Sequence, residues 1–583
     1  MDNNGTRRVD WAAAVLWRSP RLRARLLRLW LWLRITAKTA AIVGAAGVIL
    51  SLSGPAATAA DPQPRDTTIN VIDGEVAVIE NGYCSLIEAI HNANDKVTGA
   101  IYADCAPGDP AGADIIVLPP AGEFVLTATD NHTYGPTGLP VIASEIILDG
   151  SYITTIRRDP AAEPFRILAV GRDGVLSVNQ TRVSGGQAVA APERRPQVDY
   201  ATSGGGILNL GQLVLTEATI SGNSAAVGGG VYNGGQVVGS SPHFIENAAN
   251  YGGAALLSFG EVQIHHIDVR QSGGQSYDGV VVNEGNMDLV GGYVRDNGYH
   301  TSLLNRANLT INGLRIEDSR FGIINEGEMT VEAATISGQE TAVSNRGTGA
   351  IAQTAIVENG RGIVNEIGYL SLINSTVSGN HTDGNGGGIL VMGGEVYGAF
   401  NTITDNSAAS GGGAFVYGNP GPSYSYYCRA GMLTLKNSIL SGNEAVHGRE
   451  VYVQQYSHRC LGSVYLDGSM VGHDGEDGTV HAGLSNAVIV NVPLVDLISP
   501  EWVESASANP HHSLPWGSPA IDALPNEACV PPPFYASDQL YNDRNVDGDN
   551  QPSERECDVG AVERQPPAYR SFAPFVTGKG THR

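Results

Sequence analysis

The feature that most constrains this chain is a spaced repeat. Between Gly204 and Asn443, short apolar stretches end repeatedly on a residue that is usually asparagine. Thr219-Ile-Ser-Gly-Asn223, His243-Phe-Ile-Glu-Asn247, Ala355-Ile-Val-Glu-Asn359 and Thr402-Ile-Thr-Asp-Asn406 show the form. The series runs Asn223, Asn247, Asn297, Asn359, Asn380, Asn406 and Asn443, with Ser272, Ser319 and Gln339 filling the gaps. Successive spacings are 24, 25, 25, 22, 20, 20, 21, 26 and 37 residues. A second series runs beside it: Asn209, Asn233, Ser258, Asn283, Asn305, Asn325, Asn345 and Asn365. Alternating stretches such as Leu309/Ile311 and Leu370/Leu372 follow it. Two or three short strands per repeat leave no room for a helix, which excludes leucine-rich and α-solenoid arrays. The pattern predicts an all-β fold, a parallel β-helix. Its coils stack about 4.8 Å apart, so equivalent residues lie over one another. Apolar strand residues then fill a shared core, and asparagines at a corner form a hydrogen-bonded ladder.

Composition narrows the alternatives. Glycine accounts for 74 of 583 residues, a density that a long coiled coil does not tolerate. Charged residues are 16% and apolar residues 42%, the opposite of a disordered chain. The formal charge of −24 argues against nucleic acids and anionic membranes as partners. Residues 1–60 are the exception. Nine Lys and Arg there face only Asp2 and Asp10, an apolar stretch spans 40–52, and Ala57-Thr58-Ala59 offers a cleavage site. That is the pattern of a secretory signal, with an uncleaved anchor as the alternative. The six cysteines fit export. Cys84 with Cys105, Cys428 with Cys460, and Cys529 with Cys557 form three local pairs, and neighbour pairing is the simplest disulfide connectivity. The expected organisation is a leader (1–60), an N-terminal cap (61–112), a β-helix (113–500) with insertions near 186–203 and 419–430, a C-terminal cap (501–563) and a tail (564–583).

Three stretches carry a resemblance. Tyr83-Cys-Ser-Leu-Ile-Glu-Ala-Ile90 resembles the motif of CSLREA-domain proteins, with Ile87 where that motif has arginine. Leu139-Pro-Val-Ile142, Ile147-Leu-Asp-Gly150 and Phe165-Arg-Ile167 resemble the segment that follows it. Gly517-Ser-Pro-Ala-Ile-Asp522 and Cys557-Asp-Val-Gly-Ala-Val-Glu563 resemble the choice-of-anchor Q region of bacterial surface β-helix proteins. Phe244-Ile-Glu-Asn247 with Gly252-Gly-Ala-Ala255 is similar to repeats of polymorphic outer-membrane proteins, which are adhesin-like. The resemblance implies an exported right-handed β-helix of pectate-lyase-like architecture, with disulfide-stapled caps.

Fold does not decide chemistry. A glycosidase needs paired carboxylates roughly 5–10 Å apart. The residues just before the asparagine series supply a line of acids: Glu246, Asp296, Asp318, Glu358 and Asp405. Its plainer reading is a solvated turn. Arg270, Arg295 and Arg315 stand on nearby coils, as bases for a lyase or as ion-pair partners. His265-His266 reads as a strand surface pair, and Gly472-His473-Asp474 as an isolated match to a polygalacturonase motif. In the C-terminal region, Asp543, Asn545, Asp547, Asp549 and Glu554 have the spacing of a twelve-residue Ca²⁺ loop, with Gly548 for the turn. Pro552 argues against the exiting helix of an EF-hand. The expected role is structural; a polar turn is the alternative. Tyr424, Tyr426 and Tyr427 read equally as a sugar-stacking patch and as a cover for the solenoid flank. The functional reading is a secreted or cell-surface protein, non-catalytic, adhesin-like or a surface-structure protein, presenting a long face for which polysaccharide or a cell-surface glycan is the candidate partner. A polysaccharide lyase or glycoside hydrolase is the alternative.

Overall fold

The computed structural model describes residues 67–98, 100–188, 199–274, 279–417, 430–457, 460–484, 486–505, 508–529, 537–544 and 557–564. Strand Thr67–Asn70 opens the first coil and pairs in parallel with Asp114–Val117. The solenoid therefore begins ahead of residue 113, and the N-terminal cap is inserted within its first coil. That insertion holds helix α1, Leu86–Asn94. Ser85 and Glu88 form a capping box: Ser85 Oγ accepts from the Glu88 amide at 3.2 Å, and the Glu88 carboxylate accepts from the Ser85 amide at 3.0 Å. Leu86, Ala89 and Ile90 join the solenoid core, while Ile87 is only half-buried. Cys84, just before the cap, is bonded to Cys105. The Tyr83–Ile90 motif is thus a stapled, capped helix with one apolar face.

Each coil contributes up to four strand rows. In one coil, row 1 is Ile207–Asn209, row 2 Gln212–Thr216, row 3 Thr219–Ser221 and row 4 Ser224–Ala225. Each row continues into the next coil in parallel register: Ile207 pairs with Val231, Gln212 with Gln236, Thr219 with His243 and Ser224 with Ala248. Rows 2 and 3 make up a 26-stranded sheet and row 1 runs through a 14-stranded one. Alternation decides what points inward. Leu309 and Ile311, Met329 and Val331, and Leu370 and Leu372 of row 2 are buried, as are Ile316, Ile336 and Ile356 at the centre of row 3. Full burial of each such side chain stabilises by roughly 1.5–3 kcal/mol.

Polar ladders hold the corners. After row 1, Asn305 Nδ2 donates to Asn325 Oδ1, Asn325 to Asn345 and Asn345 to Asn365, each at 2.8 Å. After row 3, Asn359 Nδ2 donates to Asn380 at 2.9 Å, Asn380 to Asn406 at 2.8 Å and Asn406 to Asn443 at 2.9 Å. That second ladder ends on a buried carboxylate: Asn443 Nδ2 donates to Glu450 Oε2 at 2.6 Å. Burial pushes the Glu450 carboxyl up to about 8. A third ladder, unseen in the sequence, links Thr354, Ser375, Asn401, Ser438 and Ser469 through backbone amides that donate to side-chain oxygens of the next coil.

The last strands of the 26-stranded sheet are Val488–Ile489. The C-terminal segment then runs back along the outside of row 3. Thr335 Oγ1 donates to Asn509 Oδ1 at 3.1 Å, and Thr376 Oγ1 to Gln539 Oε1 at 2.6 Å. Ser378 Oγ pairs with His512 Nε2 at 2.7 Å, and the Ala561 amide donates to Thr402 Oγ1 at 3.1 Å. Within the range expected as a cap, 501–563, the described residues Asn509, His512, Gln539 and Ala561 therefore pack against the flank. Cys529 is bonded to Cys557 within it; Cys428 of the remaining expected pair lies outside the described residues. Arg544, fully buried, ties the segment down. Its guanidinium donates to Asn374 Oδ1 at 2.7 Å and to the Gly560 carbonyl at 2.8 Å, lies 4.4 Å from the Phe400 ring and meets Glu563 at 3.5 Å. The two disulfides point to an oxidising, extracytoplasmic setting. Among the described residues no helix is long and apolar enough to cross a membrane.

Candidate functional site

The line of acids falls on one corner, and backbone geometry explains it. Glu246, Asp296, Asp318, Glu358 and Asp405 all have φ between 50° and 56°. Gly222, Gln271, Gly338, Gly379 and Gly442 occupy the same corner on the intervening coils, also with positive φ. This left-handed conformation suits glycine and is costly for residues with a Cβ. The five acids are exposed, and only Asp296 and Asp318 stand on neighbouring coils. His266 has φ of 55° at the corner between rows 2 and 3, and Asp474 has φ of 54° beside Gly472. His265 and His266 are nonetheless an exposed pair within the strand Glu261–Arg270, while His473-Asp474 sits in a turn. Asp543 is exposed, while Asn545, Asp547, Asp549 and Glu554 lie outside the described residues, as do Tyr424, Tyr426 and Tyr427. Among the described residues no group of three or more His, Cys, Asp or Glu is placed to hold a metal.

A different set comes together on the outer face of row 3. Two positions of each row 3 triplet point outward. The coil of Thr219 and Ser221 carries small residues here, but other coils up to that of Arg315 present large polar ones: Arg182, His243, Asp268 with Arg270, Tyr293 with Arg295, and Arg315 with Glu317. All of these are exposed or half-exposed. From the next coil the positions turn small and covered. Thr335 is 4% exposed, Ala355 0%, Thr376 0%, Ser378 2% and Thr402 2%. The change falls between two adjacent coils, because Arg315 pairs directly with Thr335. Thr335 itself meets the C-terminal segment at Asn509.

Asp268 is the centre of the open stretch, with its side chain 14% exposed. His243 Nδ1 lies 3.2 Å from Asp268 Oδ2. Arg270 Nε stands 3.5 Å from the same oxygen and Arg295 Nε 3.8 Å from Oδ1. The His243 hydrogen bond, assisted by both guanidiniums, holds the Asp268 carboxyl below its ordinary range against the opposing effect of burial. The Nε atoms of Arg270 and Arg295 are buried and make no hydrogen bond. Tyr293 is 41% exposed, and the Arg295 guanidinium lies 5.1 Å from its ring. The two arginines thus do pair with an acid, but it is Asp268 rather than any acid of the corner line. Four arginines, a histidine and a tyrosine thus stand on one face of an acidic chain, together with Asp268 and Glu317. Guanidinium matches a carboxylate in two-point geometry, and an aromatic ring offers an apolar plane. The sequence did carry this signal, in the outward positions of the triplets that precede the asparagine series.

Comparison with known proteins adds the architecture's neighbours. No protein-family model matches the chain, and no curated protein matches it. Among solved structures, the chain is similar to the A-module of the Azotobacter vinelandii mannuronan C-5 epimerase AlgE6. The identity is 11%, with 65% of this chain and 90% of that one covered, and the TM-score is 0.29. It is also similar to pectate lyase Pel9A, at 15% identity, 79% and 92% coverage and a TM-score of 0.20. The parallel β-helix itself is established by the coil-to-coil register described above.

Proposed function

We propose that this is an exported surface protein that binds acidic polysaccharide, without cleaving it, along the open part of row 3. The observation that carries this reading is the cluster of Arg270, Arg295, Tyr293 and His243 around Asp268, each at least partly exposed on the outer face of row 3. Surface location draws support from the basic leader and the two disulfides. The likeness of Tyr83–Ile90 and Cys557–Glu563 to CSLREA-domain and choice-of-anchor Q proteins points the same way. The 543–554 loop is assigned to Ca²⁺ in a structural role, on its oxygen-ligand spacing alone.

One observation favours a second reading, a lyase. His243 is oriented by the Asp268 carboxylate, which also faces two guanidiniums. Removing a proton next to a sugar carboxylate takes a base and a cation that neutralises the carboxylate. A hydrolase has less support, because the cluster holds one carboxylate where hydrolysis needs two. The purified protein would be run over immobilised polygalacturonate, alginate and neutral dextran, with Ca²⁺ present. New reducing ends and the ultraviolet absorbance of unsaturated uronides would be followed in parallel. Retention on the acidic matrices with no product is the expected result. Unsaturated product that disappears in His243→Ala would replace the binding reading with the lyase. Equal retention on dextran would remove the acidic ligand.

A further inference from the structure

We propose that His243 sets the pH response of the glycan site: a protonated ring tightens its hold on acidic sugar and a neutral ring loosens it. This rests on the binding reading above and adds to it the condition that regulates the site.

Geometry fixes which nitrogen matters. His243 opens its row 3 triplet, and its Nδ1 lies 3.2 Å from Oδ2 of Asp268 on the next coil. A carboxylate only accepts, so Nδ1 carries the proton and donates. In the neutral ring Nε2 then holds a lone pair, which offers nothing to a sugar carboxylate. Protonation turns Nε2 into a second donor and makes the ring a cation. The His243 side chain is 40% exposed, so protons and ligand both reach it from solvent.

The surroundings make one proton count. On the coil before, Glu217 sits at the corner leading to Thr219, the row 3 neighbour of His243. It accepts from the Tyr152 hydroxyl and from Gln180 Nε2 at 2.7 Å, and these bonds hold its carboxyl below the ordinary range. Glu246 and Asp296 stand at the corner after row 3. With Asp268 that makes four carboxylates on row 3 and its corners within two coils of His243. Against them stand the three guanidiniums of Arg182, Arg270 and Arg295. The patch is thus one positive charge short of balance. Imidazole is the side chain that ordinarily gains a charge between pH 8 and pH 5. Asp268 and Glu217, both held low, stay ionised across that range, and so do the guanidiniums. His265 and His266 are exposed just before Asp268, so their variants serve as the control. The lyase reading needs the opposite form, since a base must be neutral to take a proton. Binding and cleavage at this site therefore respond to pH with opposite sign.

The test is affinity against pH. Hexagalacturonate would be titrated calorimetrically into the full chain at pH 5.5, 6.5 and 7.5, at fixed ionic strength and in two buffers of different ionisation enthalpy. Affinity is expected to fall about three- to fivefold from the lowest pH to the highest, the size of one half-exposed charge contact. The heat at pH 6.5 should depend on the buffer in the sense of proton uptake on binding. His243→Gln should abolish both the pH response and the proton uptake, while His265→Gln/His266→Gln keeps them. Proton uptake is read on the wild type, so the test stands even where His243→Gln fails to fold. Affinity that is flat or rises with pH, or a response carried by His265 and His266, would overturn the switch while leaving acidic-glycan binding intact. No binding of the hexamer or of polygalacturonate at any of these pH values would overturn the binding reading, and the switch with it.

Discussion

At the corner after row 3, glycine, glutamine, aspartate and glutamate replace one another because the backbone is left-handed there on every coil. Chain geometry selects that column, and its acids need no catalytic task. Glu358→Gly is therefore expected to leave glycan retention unchanged and to raise stability by up to about 1 kcal/mol in urea unfolding, since glycine removes the left-handed penalty. Lost retention would return the acid line to the site. The column was legible in the sequence as a periodic feature. Its meaning was not, because acid and glycine share a corner only once φ is known. Asp558 shows a second residue-scale effect. It is fully buried, and burial, only partly offset by the hydrogen bonds it accepts from the Arg564 and Asp522 amides, pushes its carboxyl from 3.8 up to about 6. Burial pushes the Glu563 carboxyl up as well. A raised carboxyl contributes its stability below the unfolded value, and the contribution is lost as pH rises through the folded one. Relative to Asp558→Asn, the wild type should lose on the order of 2 kcal/mol between pH 4 and pH 7. Denaturant unfolding of both proteins across that range checks the sign; a difference that grows in favour of the wild type would contradict it.

At the scale of elements, strands and ladders followed directly from the repeat. Inward residues and corner asparagines recur with the coil, so spacing alone located them. Each ladder asparagine both donates and accepts in a buried position, and the coils above and below depend on it. Asn325→Ala removes the bonds to Asn305 and Asn345, leaves the buried Asn345 Oδ1 without its ladder donor and should cost about 1–3 kcal/mol. Calorimetric melting that matches the wild type would show that the ladder is decorative. The third ladder escaped notice because its members alternate among Ser, Thr and Asn, which carry no common letter. The flank packing of the C-terminal segment was hidden for a related reason. Thr335, Thr376 and Ser378, which lie under it, have the same chemistry as Thr219 and Ser221, which do not. Only the loss of arginine after Arg315 marked the difference.

For the solenoid and its C-terminal segment together, the long axis supplies repetition and the segment covers part of one flank. The segment holds both the buried Arg544–Glu563 pair and the start of the loop assigned to Ca²⁺, so metal and fold should be linked there. Ca²⁺ at a hundredfold excess over its dissociation constant adds about 2.7 kcal/mol if only the folded state binds it. The melting temperature is expected to rise by a few degrees with Ca²⁺ and to fall back with a chelator. An unchanged melt would leave the loop as a polar turn. The central claim is that the open part of row 3 holds acidic glycan, and a matched pair of variants tests it most directly. Arg270→Ala/Arg295→Ala removes two charges from that row. Arg306→Ala/Arg346→Ala removes two from the ion-pair ladder that runs from Glu284 to Glu366 beyond row 1. On immobilised polygalacturonate the first pair should lose at least about tenfold in affinity, roughly the 1.4 kcal/mol expected from charge-assisted contacts, while the second keeps wild-type retention. Equal loss in both pairs, or none in the first, would contradict the account.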